Sequence, residues 1–213
     1  MTGNIDQLQP GDDEGFAEMV AIYPEAIEPS EQKAPTELAK LLRDPRYVFL
    51  VARTGGNITA FAIMFFPRSG GFWLLEYMAV DKTLRSRGQG EEIFRGARAV
   101  AQSRSPGLAC VLEVDQPGAD ANTLRRLRFY KRVRCRVISG LNYILPLDVA
   151  GVPPPMMLLI HGLDDASSID RETVRDWVTA LYTDVYQRAP SDPRIAAMVS
   201  RLPDQLSLEM LPD

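Results

Sequence analysis

The most constraining feature of this 213-residue chain is a single stretch, residues 72–102, that joins an apolar run to an amphipathic segment through a turn rich in arginine and glycine. The apolar run, FWLLEYMAV, has the composition and length of a strand. After the turn DKTLRSRGQG, apolar residues recur from Ile93 at i, i+1, i+4, i+7 and i+8, which is the spacing of one helical face. The sequence therefore predicts a strand, a loop and a helix in succession.

The turn inside this stretch has the chemistry of an anion-binding site. A helix that begins at residues 88–91 has backbone N–H groups without partners inside the helix. Gly88 and Gly90 allow close approach to the backbone, and Arg85 and Arg87 add positive charge. We predict that the turn binds a phosphate or pyrophosphate, although a Gly-x-Gly pattern by itself also occurs in ordinary surface loops.

Residues 85–90, Arg-Ser-Arg-Gly-Gln-Gly, resemble the Arg/Gln-x-x-Gly-x-Gly/Ala signature of the GNAT superfamily of acyl-CoA-dependent N-acetyltransferases. The end of the preceding strand, Tyr-Met-Ala-Val, is similar to the strand that leads into that signature. The resemblance implies that the pyrophosphate of coenzyme A binds the turn and that its pantetheine arm lies along the strand. The cofactor-binding residues implied in this way are Met78, Ala79, Val80, Arg85, Arg87, Gly88, Gln89 and Gly90.

Composition and charge exclude several other classes of protein. With 46% hydrophobic and 24% charged residues, the chain can form one globular domain or one domain with a small appendage. A net charge of -4 argues against a protein that binds nucleic acid through bulk charge. No stretch approaches the roughly 20 apolar residues of a membrane span, and the N-terminus has neither a basic nor an apolar leader region. We therefore expect a cytoplasmic protein that binds neither nucleic acid nor membrane.

Cysteine and histidine are too scarce for a metal centre. Cys110 and Cys135 lie in apolar runs and are expected to be reduced core residues. His161 is the single histidine, and its place at the end of the run MMLLIHG is equally that of an edge residue, so we leave it out of the catalytic set. We expect no metal site.

The first half of the chain predicts a helix and strand order that suits the superfamily. A strand over residues 5–9 precedes a helix capped by Asp12 or Asp13, and a hairpin over residues 47–66 precedes the strand at 72–80. Residues 24–35 should be irregular or briefly helical, with a short helix after them. This segment carries Glu25, Glu28, Ser30 and Glu31, which could recognise a cationic amine or form a solvated acidic loop.

Glu76 is a carboxylate within an apolar strand and therefore needs a partner or a function. Alternation places it on the face opposite Tyr77 and Trp73. Many members of the superfamily place a glutamate on this strand to accept a proton from the acceptor amine, and the resemblance implies that role for Glu76. Pairing with a nearby lysine or arginine is an equally good interpretation.

A second half-site is predicted after the apolar run LACVLEV, which reads as a strand covered on both faces. In the superfamily this strand splays away from the strand at 72–80, and acyl-CoA lies in the gap. A helix that starts at Asp120 or Asn122 then ends in Phe129-Tyr130, which resembles the Phe-Tyr-x-x-x-Gly-Phe segment of GNAT enzymes. The resemblance implies that Tyr130 protonates the leaving thiolate and that Asn122 contacts coenzyme A. A core tyrosine with a bonded hydroxyl is the alternative interpretation for Tyr130.

This segment departs from the family pattern, because Arg134 and Cys135 stand where glycine and phenylalanine are usual. The turn after the helix is therefore expected to differ. The surrounding arginines predict a solvated basic face, and one or two of them could reach a phosphate of coenzyme A. The cluster consists of Arg125, Arg126, Arg128, Lys131, Arg132, Arg134 and Arg136.

The last fifty residues predict two amphipathic helices, the first capped by Ser168 or Asp170 and the second by Asp192 with Pro193. Their apolar stripes must be buried, either on the chain's own sheet or in a homodimer. We predict an α/β fold of GNAT type at residues 1–162, with a mixed, mostly antiparallel sheet flanked by helices, and a C-terminal helical extension at 163–213. The predicted function is acetyl transfer from acetyl-CoA to a small-molecule or peptide amine. A non-catalytic acyl-CoA-binding protein and transfer to a non-amine acceptor are the alternatives.

Overall fold

The computed structural model describes residues 4–69, 71–85, 87–118, 121–147 and 155–211, apart from the side chains of Ser30 and Pro155. The chain divides into two compact units, one formed by residues 1–66 and 74–107 and the other by residues 67–73 and 108–213. Each unit is built on antiparallel strands with helices packed against them. Among the described residues, no helix has both the length and the apolar character that a bilayer-spanning segment needs.

The first unit is an antiparallel sheet of four strands in chain order, flanked by helices. The strands are β1 (Asn4–Gln7), β2 (Tyr47–Thr54), β3 (Asn57–Phe65) and β4 (Phe72–Val80). Only the part of β4 from Leu74 onward belongs to this unit. The helices are α1 (Asp13–Ala26), α2 (Pro35–Leu41) and α3 (Gln89–Arg104), with short 3₁₀ turns at Pro29–Glu31 and Lys82–Leu84. Strand β3 is buried from Ile58 to its end, and α1 and α3 both contact it.

Helix α1 shows how the local sequence sets its ends. The Asp12 carboxylate accepts a hydrogen bond from the Gly15 N–H at 2.9 Å and caps the first turn, as predicted. The helix continues past Pro24 to Ala26, three residues beyond the predicted end at Tyr23. Proline removes only one hydrogen bond when it lies in the last turn, so the helix ends slightly later than the prolines suggest.

The second unit contains strands in the spatial order β5-β8-β6-β10-β9, with β7 also paired to β8. Its strands are β5 (Ala109–Asp115), β6 (Arg136–Ile138), β7 (Tyr143–Ile144), β8 (Pro155–His161), β9 (Ser168–Asp170) and β10 (Gln205–Met210). Its helices are α4 (Ala121–Arg132), α5 (Arg171–Ala180), which continues as a π-helical turn at Leu181–Val185, and α6 (Pro193–Val199). Cys110 and Cys135 are buried and are not joined in a disulfide, as predicted.

The C-terminal segment contains strands as well as helices. The two predicted helices are present, with Asp170 and Asp192 as their caps. Their apolar stripes are buried within the same unit, where Trp177 of α5 packs on Phe72 with ring centroids 5.7 Å apart. The sequence analysis missed β10, which pairs with β6 and β9. Its buried Leu206 and Leu208 alternate with exposed neighbours, but a six-residue run gives only a weak period-two signal.

Candidate functional site

The turn before α3 leaves the start of that helix open. Gly88 precedes the helix with a φ of 83°, in the left-handed region, and no side chain caps the first turn. The N–H groups of Glu91 and Glu92 bond to the Gly88 carbonyl, so the donors that lack an acceptor inside the helix are those of Gln89 and Gly90. A β-carbon built at Gly88 meets nothing within 4 Å. This uncapped, uncrowded helix start fits an anionic group.

Two arginines flank this helix start in different ways. The Arg85 Nε donates to the Val80 carbonyl at 3.1 Å and so fastens the turn to the end of β4. Arg87 is exposed, and its charge is accessible to a phosphate. Ser86, which stands between them in the motif, lies outside the described residues. Backbone donors and guanidinium groups at the same turn are the donor set that a pyrophosphate requires.

Gln89 ties the turn to the β2–β3 hairpin. Its Nε2 lies 3.2 Å from the Thr54 hydroxyl and 3.3 Å from the Thr59 hydroxyl. The pairing of β2 with β3 shifts between Ala52 and Arg53 and leaves Thr59 as an extra residue, which is a β-bulge. The bulge directs a buried polar side chain toward the anion-binding turn, and the sequence carried no signal for it.

The register of β4 determines which of its amides can contact a ligand. The Asp81 N–H bonds to the Thr59 carbonyl on β3. Because backbone groups alternate along a strand, the Ala79 N–H also points toward β3, while those of Met78 and Val80 point away from it. The Val80 carbonyl, which lies on that outer side, accepts from Arg85. Met78 and Val80 are therefore the residues whose amides face away from the neighbouring strand of this unit.

Glu76 is buried and holds a lysine. Only 4% of its side chain is exposed, and its Oε1 lies 2.6 Å from the Nζ of Lys33, whose side chain is 24% exposed. The same Nζ donates to the Tyr77 hydroxyl at 3.1 Å. Burial, followed by the nearby Glu76 carboxylate, raises the pKa of Tyr47 well above its usual value. The ion pair is the structural interpretation that the sequence left open, and the partner is a primary amine.

A second bulge explains why Glu76 and Tyr77 reach the same amine. In a regular strand their side chains would point to opposite faces, as the sequence analysis assumed. The register between β3 and β4 passes from the pair Ile63–Tyr77 to the pair Met64–Leu75, and Glu76 is the extra residue. Bulges redirect side chains and are common beside active sites. Side chains therefore do not alternate regularly between the two faces at Glu76, because the strand is locally irregular.

The segment between α1 and α2 contains Lys33 and positions it beside Glu76. It is anchored by the Lys33 N–H, which donates to the Tyr23 hydroxyl at 2.9 Å, and by the Tyr77 hydroxyl, which donates to the Glu31 carbonyl at 2.8 Å. Of the acidic residues predicted here, Glu25 pairs with Lys82 and Glu28 is exposed. These two carboxylates match the solvated alternative, and the backbone of the segment positions Lys33 instead.

Tyr130 lies in the last turn of α4, in the second unit. Its ring contacts Phe129 edge-on at a centroid distance of 5.4 Å. Burial raises the pKa of Tyr130 well above its usual value, more than the nearby Arg126 lowers it. Among the residues that the structure describes, none is hydrogen-bonded to its hydroxyl. The phenol is therefore neutral at physiological pH and has an O–H available to donate.

The turn after Tyr130 is closed by backbone hydrogen bonds, although it contains no glycine. Arg134 has a φ of 63°, in the left-handed region where glycine is usual. The Cys135 N–H bonds to the Tyr130 carbonyl at 2.9 Å and the Arg134 N–H to the Lys131 carbonyl at 3.0 Å, which together form a Schellman motif. Hydrogen bonding sets this turn even without glycine, and its difference from the family pattern stays a prediction.

Asn122 and the basic cluster have ordinary surface geometry. Asn122 is exposed in the first turn of α4, and Asp120, the other predicted cap, lies outside the described residues. Arg126 is engaged by Asp115, and Arg136 by the backbone carbonyls of Leu163 and Ala166. The exposed members are Arg125, Arg128, Arg132 and Arg134.

Sequence reasoning missed a second carboxylate of the same kind. Glu113 lies in the apolar strand β5 and accepts hydrogen bonds from the hydroxyls of Tyr143 and Tyr186, the latter at 2.8 Å. The signal that singled out Glu76, an acid in an apolar run, applies equally to Glu113. Lys33 had no comparable signal, because a lysine in a polar, proline-containing segment is normally solvated.

The remaining sequence predictions concern His161 and metal binding. His161 is 6% exposed and pairs with Cys110 across β5 and β8, so it is buried within a sheet and is not an edge residue. Within the described part of the chain, no group of three or more histidine, cysteine, aspartate or glutamate side chains is placed to hold a metal ion.

Several solved structures are similar in fold to this chain. Solved structures with the same fold include a protein described as a GNAT-family acetyltransferase from Bacteroides thetaiotaomicron, with 21% identity, a TM-score of 0.69, and coverage of 87% of this chain and 99% of that one. The ribosomal-protein-S18-alanine N-acetyltransferase from Escherichia coli has 18% identity and a TM-score of 0.56, with 74% and 92% of the two chains covered. An aminoglycoside 6'-N-acetyltransferase complexed with coenzyme A has 15% identity and a TM-score of 0.56, with 74% and 96% covered.

No curated protein matches the chain. The similar structures confirm the predicted fold class, a mixed α/β fold with a mostly antiparallel sheet flanked by helices. The sequence model of the acetyltransferase (GNAT) family matches residues 15–134, which is more than half of the chain and spans both the turn at Gly88 and the helix end at Tyr130. On this match, the chain belongs to the GNAT family of acetyltransferases.

Proposed function

We propose that the protein transfers an acetyl group from acetyl-CoA to a primary amine of a small molecule or peptide, by direct attack within a ternary complex. The observation that carries this proposal is the buried carboxylate of Glu76, which a β-bulge directs onto a primary amine at 2.6 Å. A site that holds the ε-amine of Lys33 in this way has the charge and the hydrogen-bond acceptor that an acceptor amine would need.

In the first unit, the contacts proposed for acetyl-CoA come from the turn before α3 and from the end of β4. The N–H groups of Gln89 and Gly90 and the guanidinium of Arg87 would hold the pyrophosphate, and the pantetheine arm would follow residues 78–80. Arg85 is also included among the proposed cofactor-binding residues, because its hydrogen bond to the Val80 carbonyl orients the turn. Asn122, whose exposed side chain lies in the first turn of α4, is retained as a proposed contact with coenzyme A.

Acetyl-CoA supplies an acyl thioester, and the chain supplies proton transfer and charge stabilisation around it. An acceptor amine is protonated at neutral pH, and Glu76 would accept the proton that it must lose, directly or through water. The amides of Met78 and Val80, the residues on either side of Ala79, would donate hydrogen bonds to the developing oxyanion.

Tyr130 would donate its proton or a hydrogen bond to the departing thiolate. A thiol has an unperturbed pKa of about 8.5, below that of a phenol, so complete proton transfer from Tyr130 is uphill. The raised pKa of Tyr130 increases this difference and favours hydrogen-bond donation, with final protonation from the amine's released proton.

The direct test follows release of free thiol from acetyl-CoA with a panel of polyamines, amino acids, aminoglycosides and peptides. Turnover with an amine supports the proposal. Thermal stabilisation by acetyl-CoA without turnover on any acceptor would indicate a non-catalytic acyl-CoA-binding protein, and absence of both would reject both functions.

A matched pair of variants tests the role of Glu76. Glu76→Gln should lower the rate by about 10² or more, the usual range for loss of an acid–base group. Glu113→Gln alters a hydrogen-bonded carboxylate in another strand and should lower stability while turnover is retained. Equal loss of rate in both variants would mean that Glu76 acts only through folding.

A further inference from the structure

We infer that Lys33 is itself an acceptor, so that the protein acetylates its own Lys33 ε-amine. The inference rests on the proposed function, because it uses the same thioester and the same carboxylate. It begins from the occupant of the proposed amine site, which is a lysine of this chain and not an external molecule.

The Lys33 amine is held as a bound substrate amine would be. Its Nζ contacts the Glu76 Oε1 at 2.6 Å and the Tyr77 hydroxyl at 3.1 Å, and it lies 5.1 Å from the centre of the Tyr77 ring. A carboxylate, a hydroxyl and an aromatic face are three groups that favour an ammonium ion. The exposed fraction of the Glu76 side chain is 4%, so water competes little for its Oε1.

The segment that carries Lys33 is held in place by its own hydrogen bonds. The Gln32 Nε2 donates to the Ile27 carbonyl at 2.7 Å and to the Pro24 carbonyl at 3.1 Å. The Lys33 N–H donates to the Tyr23 hydroxyl, and the Glu31 carbonyl accepts from Tyr77. A nucleophile fixed in this way reacts as part of one molecule, with an effective concentration far above that of a dissolved amine.

The amine also lies close to the proposed position of the thioester. Glu76 precedes Met78 by two residues on β4, a separation of about 6.6 Å along a strand. The bulge at Glu76 shortens this path slightly. The Lys33 amine would approach a carbonyl carbon beside Met78 by rotation about the bonds of its own flexible side chain.

The reaction balances without any further reagent. The Lys33 ammonium gives a proton to the Glu76 carboxylate, and the neutral nitrogen forms a bond to the thioester carbonyl carbon. The C–S bond breaks, the thiolate is protonated to free coenzyme A, and the nitrogen loses its second proton as the amide forms. The thiolate takes up one of the two protons that the nitrogen loses, and the other passes from Glu76 to solvent. The products are an acetamide at Lys33, coenzyme A as the thiol, and one proton.

Acetylation would change the site in a defined way. An acetamide carries no charge, so Glu76 would lose the cation that it now holds. The carboxylate would then be available to an external amine. One acetylation at Lys33 would convert the site from self-occupied to open.

The experiment incubates the purified full chain with acetyl-CoA and no acceptor, then measures the intact mass and maps acetylated peptides. The expected result is one acetyl group, located on Lys33, with a half-time that is unchanged over about a tenfold dilution of the protein. Lys33→Arg should abolish the added mass. Lys82→Arg should leave it unchanged, because Lys82 pairs with Glu25 at the surface with 61% of its side chain exposed.

A chemical control separates site-directed transfer from general lysine reactivity. A small amine-reactive acetyl ester, used without acetyl-CoA, should label Lys82 more than Lys33, because Lys33 is less exposed and is paired with a buried carboxylate. Acetyl-CoA should reverse that order. Acetyl-CoA labelling that follows exposure in the same order as the ester would overturn the inference.

The outcomes also separate this inference from the proposed function. If an external amine is acetylated and Lys33 is not, the inference is wrong and the proposed function stands. If neither is acetylated, both are wrong. If Lys33 is acetylated, and the thermal stabilisation by acetyl-CoA is the same in wild type and Lys33→Arg, the loss in the variant reflects the missing nucleophile and supports the inference.

Discussion

Two helix ends, one in each unit, use the same unusual backbone conformation in opposite ways. Gly88 before α3 and Arg134 after α4 both have positive φ, 83° and 63°. At the start of α3 the N–H groups of the first two residues have no acceptor inside the helix. At the end of α4 the carbonyls of Tyr130 and Lys131 are both bonded by the turn that follows. One end is open to a ligand, and the other is closed by its own chain.

The difference shows why glycine is needed at only one of them. A left-handed turn costs a residue with a β-carbon roughly 1–2 kcal/mol, which two hydrogen bonds of a Schellman motif can offset at Arg134. Gly88 has no such compensation, and a side chain there would also lie beside any group bound to the backbone. The open end is expected to bind acetyl-CoA, and the closed end holds Tyr130, the residue proposed to donate to the leaving thiolate.

The largest expected effect comes from the closed end. Tyr130→Phe should lower the maximal rate of acetyl transfer by about 10², because it removes the hydrogen-bond donor proposed for the developing thiolate while leaving the ring packing intact. Binding of acetyl-CoA, measured by calorimetry, should change little. An unaltered rate would remove Tyr130 from the mechanism.

The open end should show its effect in binding. Gly88→Ala should weaken acetyl-CoA binding by about tenfold and lower the free energy of unfolding by about 1 kcal/mol. Gly107→Ala is the matched control, since Gly107 has a φ of 81° and equally open surroundings. It should lose similar stability and keep its affinity. Equal affinity in the two variants would show that the turn at Gly88 is structural only.

At the closed end the opposite change can be made, in which Arg134 is replaced by glycine. Arg134→Gly removes the strain of a left-handed arginine and should raise the free energy of unfolding by about 1 kcal/mol, or roughly 2–4 °C in the melting temperature. A melting temperature that falls would mean that the Arg134 side chain contributes more than the turn costs. Calorimetry of the two proteins side by side decides between these results.

The smallest effect is in the pH profile. An ordinary phenol with a pKa of about 10 would be half ionised at pH 10, which would halve a rate that depends on its proton. Because the pKa of Tyr130 is raised, the phenol stays protonated through that pH, and the single-turnover rate should remain flat on this limb. A twofold fall centred near pH 10 would show that Tyr130 is more solvated in the complex than in the free protein.

Sequence reasoning reached the elements and the family but not the local irregularities. The hairpin, the strand at 72–80, the open helix start and the Tyr130 helix follow from periodicity, glycine positions and capping residues. The bulges at Thr59 and Glu76 were not predictable, because an extra residue in a ladder depends on how neighbouring strands pair. For the same reason the alternation argument misplaced Glu76 relative to Tyr77.

The sequence by itself determined the open helix start after Gly88, since a helix that begins after a left-handed glycine exposes backbone donors wherever the chain folds. It also determined that Glu76 required a partner, since burying an unpaired carboxylate is costly. Only the tertiary structure decided which partner. Lys33 is forty-three positions away in sequence and reaches Glu76 because the segment between α1 and α2 is tied to Tyr23 and Tyr77. Contacts of that range depend on the packing of whole elements, which local propensity does not encode.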